Sequence, residues 1–321
     1  VGVLMDNYPE FIYSFGGCAF AGAGLVGLNT VQKGSMLARD INFTDCQVLV
    51  TETKYFQEVM GIRSQLENIS ENEILVNNFR DESRDLPANI SSLEDSLLHL
   101  ERELGQTAKQ PPGTQVTPDH LQMIIFTSGS TGTPKGVINS HLNLIIRGFM
   151  VAARLQLTPS DVCYGVMPMF HSNTTLLASV PALISGGAIA TRRKFSASGF
   201  IKDVKKFGVT TFNYVGKPLA YILSTPAQPD DSVNSLRVAL GNGATYEQQL
   251  EFQRRFGLDE VVEGFGSTEG GATTMRAIGD PPGTVGAALD ELKLIGENGQ
   301  ECEPACFDEN GLFLNYSKAV G

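Results

Sequence analysis

The stretch LQMIIFTSGSTGTPKGVINS, residues 121–140, decides how this chain is read. Residues 121–126 form an apolar run of strand length, and residues 135–139 are again apolar and β-branched. Between them lie glycines, hydroxyl side chains, Pro134 and a single cation, Lys135. Glycine lets successive backbone N–H groups turn toward one point, which makes an anion-binding nest; Ser and Thr hydroxyls add donors and Lys135 adds charge. The expected occupant is phosphate, with a plain Gly/Ser surface loop as the alternative. A Walker A loop needs Gly directly before its lysine and a hydroxyl directly after it, whereas Pro134 and Gly136 flank Lys135. Because strand-like sequence resumes at Lys135, the loop is expected to join two strands and not to open a helix.

Working outward, VGVLMDN reads as a buried strand, Asn7 and Pro9 mark a helix start, GSMLARDINFT is a second helix, and CQVLVTE is a β-rich run. That alternation predicts a parallel α/β layer. Residues 77–119 are a polar excursion with one amphipathic helix, opened by a capping-box-like SLED at 92–95 and stopping near Gly105. Past the loop, SHLNLIIRGFMVAARLQL is a helix capped by Ser140. The strand–helix theme recurs as AIATRR before FSASGFIKDVKKFG and as TTFNYV before KPLAYILSTP. After Gly283 the chain reads as short antiparallel strands at Gly turns. The expected fold is α/β, with layered subdomains, mostly parallel sheets and the start of a small distorted β-barrel. Its expected parts are 1–120, 121–282 and 283–321.

The net charge of −11 over 321 residues excludes a general nucleic-acid surface, which needs a basic face. A small polyanion would have to be held by local donors. The apolar run 11–28 is glycine-rich and follows a helix start, so it reads as a buried core helix and not as a membrane span. No signal peptide is visible, and five scattered cysteines without a C-x-x-C pair point to free thiols in a reducing, cytoplasmic setting. Cys302 and Cys306 have no neighbouring ligands to complete a metal site. A strand beginning at Val1 suggests that the chain starts inside a longer protein.

TSGSTGTPKG, MPMFH at 167–171 and GFGSTEGG at 264–271, in that order, resemble the signature motifs of the adenylate-forming superfamily of acyl-CoA synthetases, luciferases and adenylation domains. RRKFSASGF at 192–200, YVGKPLAYIL at 214–223 and LRVALGNGA at 236–244 resemble more closely the long- and very-long-chain acyl-CoA synthetase branch that includes the fatty acid transport proteins. The resemblance covers essentially the whole chain, but only the family's large N-terminal domain.

It implies an ATP-dependent, AMP-forming fatty acid–CoA ligase, in which the acid is attached to AMP and coenzyme A then displaces AMP. Thr127, Ser128, Gly129, Ser130, Thr131, Gly132, Thr133 and Lys135 would cradle the β- and γ-phosphates, opposite Glu269. Glu269, with Thr127, would hold Mg2+; Thr268 would donate to the α-phosphate or the substrate carboxylate. Phe265, within Gly264, Gly266 and Ser267, would stack on adenine, and Gly241, Asn242, Gly243 and Ala244 would lie against the purine. His171 would stand between the acyl pocket and the thiol tunnel. Tyr214, Val215 and Gly216 read either as acyl-pocket lining, with Gly216 leaving room for a long tail, or as packed core. Arg192, Arg193 and Lys194 read as a solvated cluster or as a contact for coenzyme A phosphates or anionic lipid; His99 and His120 read as surface residues.

The small molecules implied are fatty acid, ATP, Mg2+ and coenzyme A, with no nucleic acid; peripheral membrane contact is compatible with them. The oligomeric state is left open. The family's ribose-binding aspartate, hinge and C-terminal lysine motifs do not occur before Gly321, so the isolated chain is expected to adenylate poorly. A ligase for an amino or aryl acid and a non-catalytic acyl-binding or uptake protein are the alternatives. Against the latter, Lys135, Thr268 and Glu269 are all present.

Overall fold

The computed structural model describes residues 1–78, 86, 90–104, 115–127, 134–270, 273–277, 279–280, 283–288, 293–309 and 314–319. The chain divides into two units, 1–262 and 263–321.

The first unit holds two sheets. The first has the order β5-β4-β3-β1-β2-β6-β7, built from β1 (Gly2–Leu4), β2 (Leu25–Gly27), β3 (Leu49–Glu52), β4 (Ile74–Asn77), β5 (Ser91–Ser92), β6 (Leu121–Thr127) and β7 (Lys135–Ser140). All its pairings are parallel except β6–β7. Side chains alternate between its faces, as strand geometry requires. Leu4, Val26, Leu49 and Ile74 enter one core with α2 (Gly34–Phe43) and α3 (Phe56–Ile62). Val3, Met5, Leu25, Val50 and Met123 enter the other core, with Phe11 and Cys18 of α1 (Pro9–Ala21). Burial on both faces explains why these strands read as continuous apolar runs.

Two expectations change here. β6 and β7 belong to the first sheet, so the sheet boundary falls after Ser140 and not at 121. The run 11–28 is not one buried helix: α1 ends at Gly22 in a left-handed cap, leaves Tyr13 and Phe20 exposed, and the run continues as β2. The 77–119 excursion supplies the edge strand β5 and α4 (Leu93–Leu104), whose first turn donates the Asp95 N–H to Ser92 Oγ at 3.3 Å. Among the described residues, no helix is long and apolar enough to cross a membrane.

α5 (His141–Arg154) follows β7 and is capped by Ser140, whose Oγ accepts the Asn143 N–H. The second sheet, ordered β9-β8-β10-β11-β12, comprises β8 (Val162–Gly165), β9 (Ala188–Thr191), β10 (Thr211–Val215), β11 (Val238–Asn242) and β12 (Glu260–Gly266), along which the unit boundary falls. Between β8 and β9 run α6 (Ser172–Thr174), a π-helical stretch Thr175–Ser179 and α7 (Val180–Ser185). One face of the sheet packs Tyr164, Phe212, Tyr214 and Ala239 against α8 (Phe200–Phe207), α9 (Gly216–Leu223) and α10 (Tyr246–Phe256). Phe200, Phe212, Phe252 and Phe256 form its aromatic centre, with ring centroids 4.8–6.0 Å apart.

In the second unit, the end of β12 pairs antiparallel with β13 (Thr273–Met275), and β13 with β14 (Ala287–Ala288). An Ile295–Glu301 bridge and the short α11 (Tyr316–Ala319) follow. These strands are antiparallel, as the Gly turns imply, and no closed barrel is formed among the described residues.

Candidate active site

β6 and β7 make an antiparallel hairpin whose register runs from Leu121↔Ser140 to Thr127↔Lys135. The two ends of the glycine-rich stretch are thus cross-strand partners, with Thr127 half-buried and Lys135 exposed. Arg39 of α2 donates Nη2–H to the Pro134 carbonyl at 3.2 Å and anchors the β7 side. Ser128, Gly129, Ser130, Thr131, Gly132 and Thr133 lie outside the described residues.

MPMFH forms the turn after β8. Met167 packs into the core of the second sheet, while Met169 and Phe170 pack into a core of the first. The turn therefore plugs one sheet into the other. A Cβ on Gly27, at the end of β2, would lie 2.9 Å from Phe170 Cα, so only glycine admits that approach. Three side chains hold the turn's backbone. Asn7 Nδ2 donates to the Met167 carbonyl and Asn7 Oδ1 accepts the Met169 N–H, both at 3.0 Å. Thr174 Oγ1 donates to Met167 O at 2.6 Å and Thr175 Oγ1 to Met169 O at 2.8 Å. Asn7 was read from sequence as part of a helix start. The residue at the helix cap is Tyr8, which makes no capping bond, and Asn7 spends its amide on this turn.

His171 ends the turn, its ring 4.5 Å from that of Phe170. The ring reaches solvent, yet protein crowds it enough that desolvation lowers its pKa from the usual 6.5, which keeps it neutral at pH 7. Asn173, two residues on, donates Nδ2–H to the Tyr214 carbonyl at 3.2 Å and accepts from Asn213, joining the His171 turn to the end of β10.

Tyr214 is fully buried and donates its hydroxyl to Val262 O at 3.1 Å. Its ring and carbonyl occupy the space a Cβ on Gly241 would need. The reason for glycine at 216 is likewise steric: a Cβ there would lie 1.8 Å from the Gly243 carbonyl oxygen. The space at Gly216 is therefore filled by the 241–244 segment. That segment is fixed at its far end by Thr245, which forms a reciprocal capping box with Gln248, and by Gln249 Nε2–H donating to Ala244 O at 3.0 Å. Asn242 and Gly243 are exposed, Ala244 is half-buried, and Gly243 adopts φ +79°.

In the second unit, Gly264, Phe265 and Gly266 pair with Met275, Thr274 and Thr273. A Cβ on Gly264 would come within 2.9 Å of Thr274 O. The Phe265 ring is exposed, unusual for a phenylalanine on a paired strand. The Gly270 N–H closes a turn onto Ser267 O at 3.1 Å, with Thr268 and Glu269 as the central residues and Gly270 at φ +79°. Thr268 is half-buried and Glu269 exposed.

The basic run is solvent-exposed, with side chains 37–68% accessible, yet its two arginines are tied to carboxylates of the fold. Arg192 forms a two-pronged pair with Asp203 at 2.6 and 2.8 Å. Arg193 bonds Asp6 at 3.1 Å and Glu52 at 2.6 Å and lies over the Tyr8 ring. Sequence offered no sign of these partners, which are 11 to 187 positions away.

A family profile described as AMP-binding enzyme matches residues 1–311. Over 326 residues the chain is 37% identical to steroid-22-oyl-CoA synthetase of Rhodococcus jostii, covering 100% of this chain and 55% of that protein. It is 37% identical over 303 residues to the medium/long-chain-fatty-acid–CoA ligase FadD17 of Mycobacterium marinum, covering 94% of this chain and 55% of that protein. The chain thus spans about half the length of these relatives. A crystal structure of the anthranilate CoA ligase AuaEII with anthranoyl-AMP superposes with a TM-score of 0.79 at 21% identity, over 95% of this chain and 57% of that one, and shows the shared fold.

Proposed function

Since the chain belongs to the AMP-binding enzyme family, we propose that the whole protein is an ATP-dependent, AMP-forming acyl-CoA ligase for a long-chain fatty acid. The observation that carries the reading is the Thr127–Lys135 pairing, which sets a hydroxyl and an ammonium at the two mouths of a glycine-rich segment inside a matched family profile.

In the reaction, a carboxylate oxygen attacks the α-phosphorus of ATP and the bond to pyrophosphate breaks. The coenzyme A sulfur then attacks the acyl carbon, AMP leaves, and the thiol proton is released. Lys135 and the 127–133 hydroxyls and amides offset charge on the β- and γ-phosphates. Asn242, Gly243 and Ala244 offer a slim backbone edge to the purine. The neutral His171 ring borders the path of the acid without adding charge. In the second unit, Phe265 offers a ring face to adenine and Thr268 a hydroxyl to the carboxylate or α-phosphate. Among the described residues no three His, Cys, Asp or Glu side chains cluster. Glu269 would hold Mg2+ together with nucleotide oxygens, since magnesium uses one or two carboxylates plus substrate phosphates. When bound, Mg2+ supplies charge neutralisation at the phosphates. Long apolar acids reside in lipid, so peripheral contact with a membrane belongs to the same proposal.

The 37% identity to a steroid-22-oyl-CoA synthetase favours one second reading of the acid, a steroid side-chain carboxylate. Acid-dependent ATP–pyrophosphate exchange, followed by AMP and thioester formation with coenzyme A, tests both. Fatty acids of graded length should support exchange. Exchange with the steroid acid alone, or with amino or aryl acids alone, would replace the fatty-acid reading, and acyl binding indifferent to ATP and magnesium would remove the ligase.

A further inference from the structure

Among the described residues, the amide of Asn7 is the one side chain that grips the His171 turn from the first sheet at both donor and acceptor, and it stands just past β1. Both of its polar atoms are spent on the turn, and its backbone N–H donates to Arg193 O at 3.3 Å. Arg193 is in turn held by Asp6 and Glu52, at the ends of β1 and β3. The β1 end thus sets two segments of the second sheet at once: the turn after β8 and the segment after β9. Thr174 also donates to the Met167 carbonyl and Thr175 to the Met169 carbonyl, but both belong to the turn's own helical continuation and cannot set its place relative to the first sheet.

We propose that Asn7 is a positioning residue for His171. Its paired hydrogen bonds fix residues 167–169, so that the ring two residues on faces the acid's path. The inference rests on the ligase reading for its consequence and on the Asn7 geometry for its mechanism. A carboxamide is the group suited to the task, because it presents one donor and one acceptor in a plane to a carbonyl and an N–H two residues apart. Leucine would fill the space and satisfy neither. The Met167 carbonyl would keep Thr174, while the Met169 N–H would lose its Asn7 acceptor inside the core.

The test is Asn7→Leu, with the uncharged Asn7→Ser as the milder variant and Ile41→Val, in the opposite core of the first sheet, as a control for lost stability. Two readouts are taken. The first is acid- and coenzyme A-dependent AMP formation: kcat/KM should fall by about a hundredfold in Asn7→Leu, the scale of roughly 1 Å of misplacement, with KM for ATP within about twofold of wild type. The second is an NMR titration of the His171 ring, identified by the signal missing in His171→Gln. Its depressed pKa should rise toward 6.5 in Asn7→Leu, and by less in Asn7→Ser. If His171 titrates as in wild type in both variants, or if Ile41→Val produces the same rise, the positioning role is overturned. Should Asn7→Leu fail to fold, Asn7→Ser decides by the same criterion. The titration needs no turnover, so a whole wild-type protein inactive on every acid sinks the ligase reading while the His171 signal still decides the role of Asn7.

Discussion

Replacing Gly216 by alanine adds one carbon where the Gly243 carbonyl oxygen lies 1.8 Å and its carbon 2.4 Å from the new atom. Ordinary contact begins near 3.4 Å, so the two backbones must part by roughly 1.6 Å. Neither can give way easily. Tyr214↔Gly241 and Val215↔Asn242 are register pairs between β10 and β11, and the Thr245 capping box holds the other side. Helix propensity alone would favour alanine in α9 by at most about 1 kcal/mol. Overpacking against fixed backbone costs about 1–3 kcal/mol or more. The clash wins, and Gly216→Ala should destabilise by about 1–2 kcal/mol net, a drop of several degrees in Tm. If the 241–244 segment meets the purine, displacing it should also raise KM for ATP by about tenfold or more. Urea denaturation and the pyrophosphate-exchange assay read the two effects. A variant as stable as wild type, or more stable, would refute the steric argument; a destabilised variant with unchanged KM for ATP would remove the segment from the nucleotide site.

Lys135→Met should raise KM for ATP by about ten- to a hundredfold, the worth of a hydrogen bond to a charged group, and leave Tm unchanged because the side chain is exposed. Arg193→Ala should cost about 1–3 kcal/mol. A fully buried broken pair would cost about 3–5, but the guanidinium is 48% exposed and water screens part of the loss; adding Glu52→Gln should recover some of it, and no recovery in urea melts would show that Glu52 does not depend on Arg193. Asp203 links Tyr164 and Arg192. Burial acts to raise its pKa, but the hydrogen bonds from Arg192 and Tyr164 and the charge of Arg192 outweigh it, so the folded value lies below 3.8. The sign follows: this stabilisation is complete above pH 3.8 and is lost as pH falls through the depressed value. Asp203→Asn should lower stability at pH 7 and flatten the acid limb below pH 4, and an acid limb as steep as wild type would contradict it.

How much was legible depended on how far apart the partners are. Ser140 before α5, the β-branched 135–139 run and the apolar β1, β3 and β6 segments could be read because capping, turn chemistry and two-sided burial act within a few residues. The partners of Arg192, Arg193 and Lys194 left no sign in the sequence because the carboxylates come from Asp203, Asp6 and Glu52, which only folding brings near. Gly216 suggested room for a ligand, yet another backbone segment fills the space. Asn7 beside Pro9 had a local explanation as a helix start, and the tertiary contact overrode it.

By itself, the sequence determined the alternating α/β architecture, the strand–loop–strand setting of TSGSTGTPKG and the family to which its motifs belong. These are properties of short segments, whose periodicity and backbone preferences act before the chain is folded. Only the tertiary structure decided which sheet β6 and β7 join, why glycine stands at 216 and 27, and what holds the His171 turn. Those outcomes depend on close approaches between strands and loops far apart in sequence, and a close approach of that kind leaves no local pattern to read.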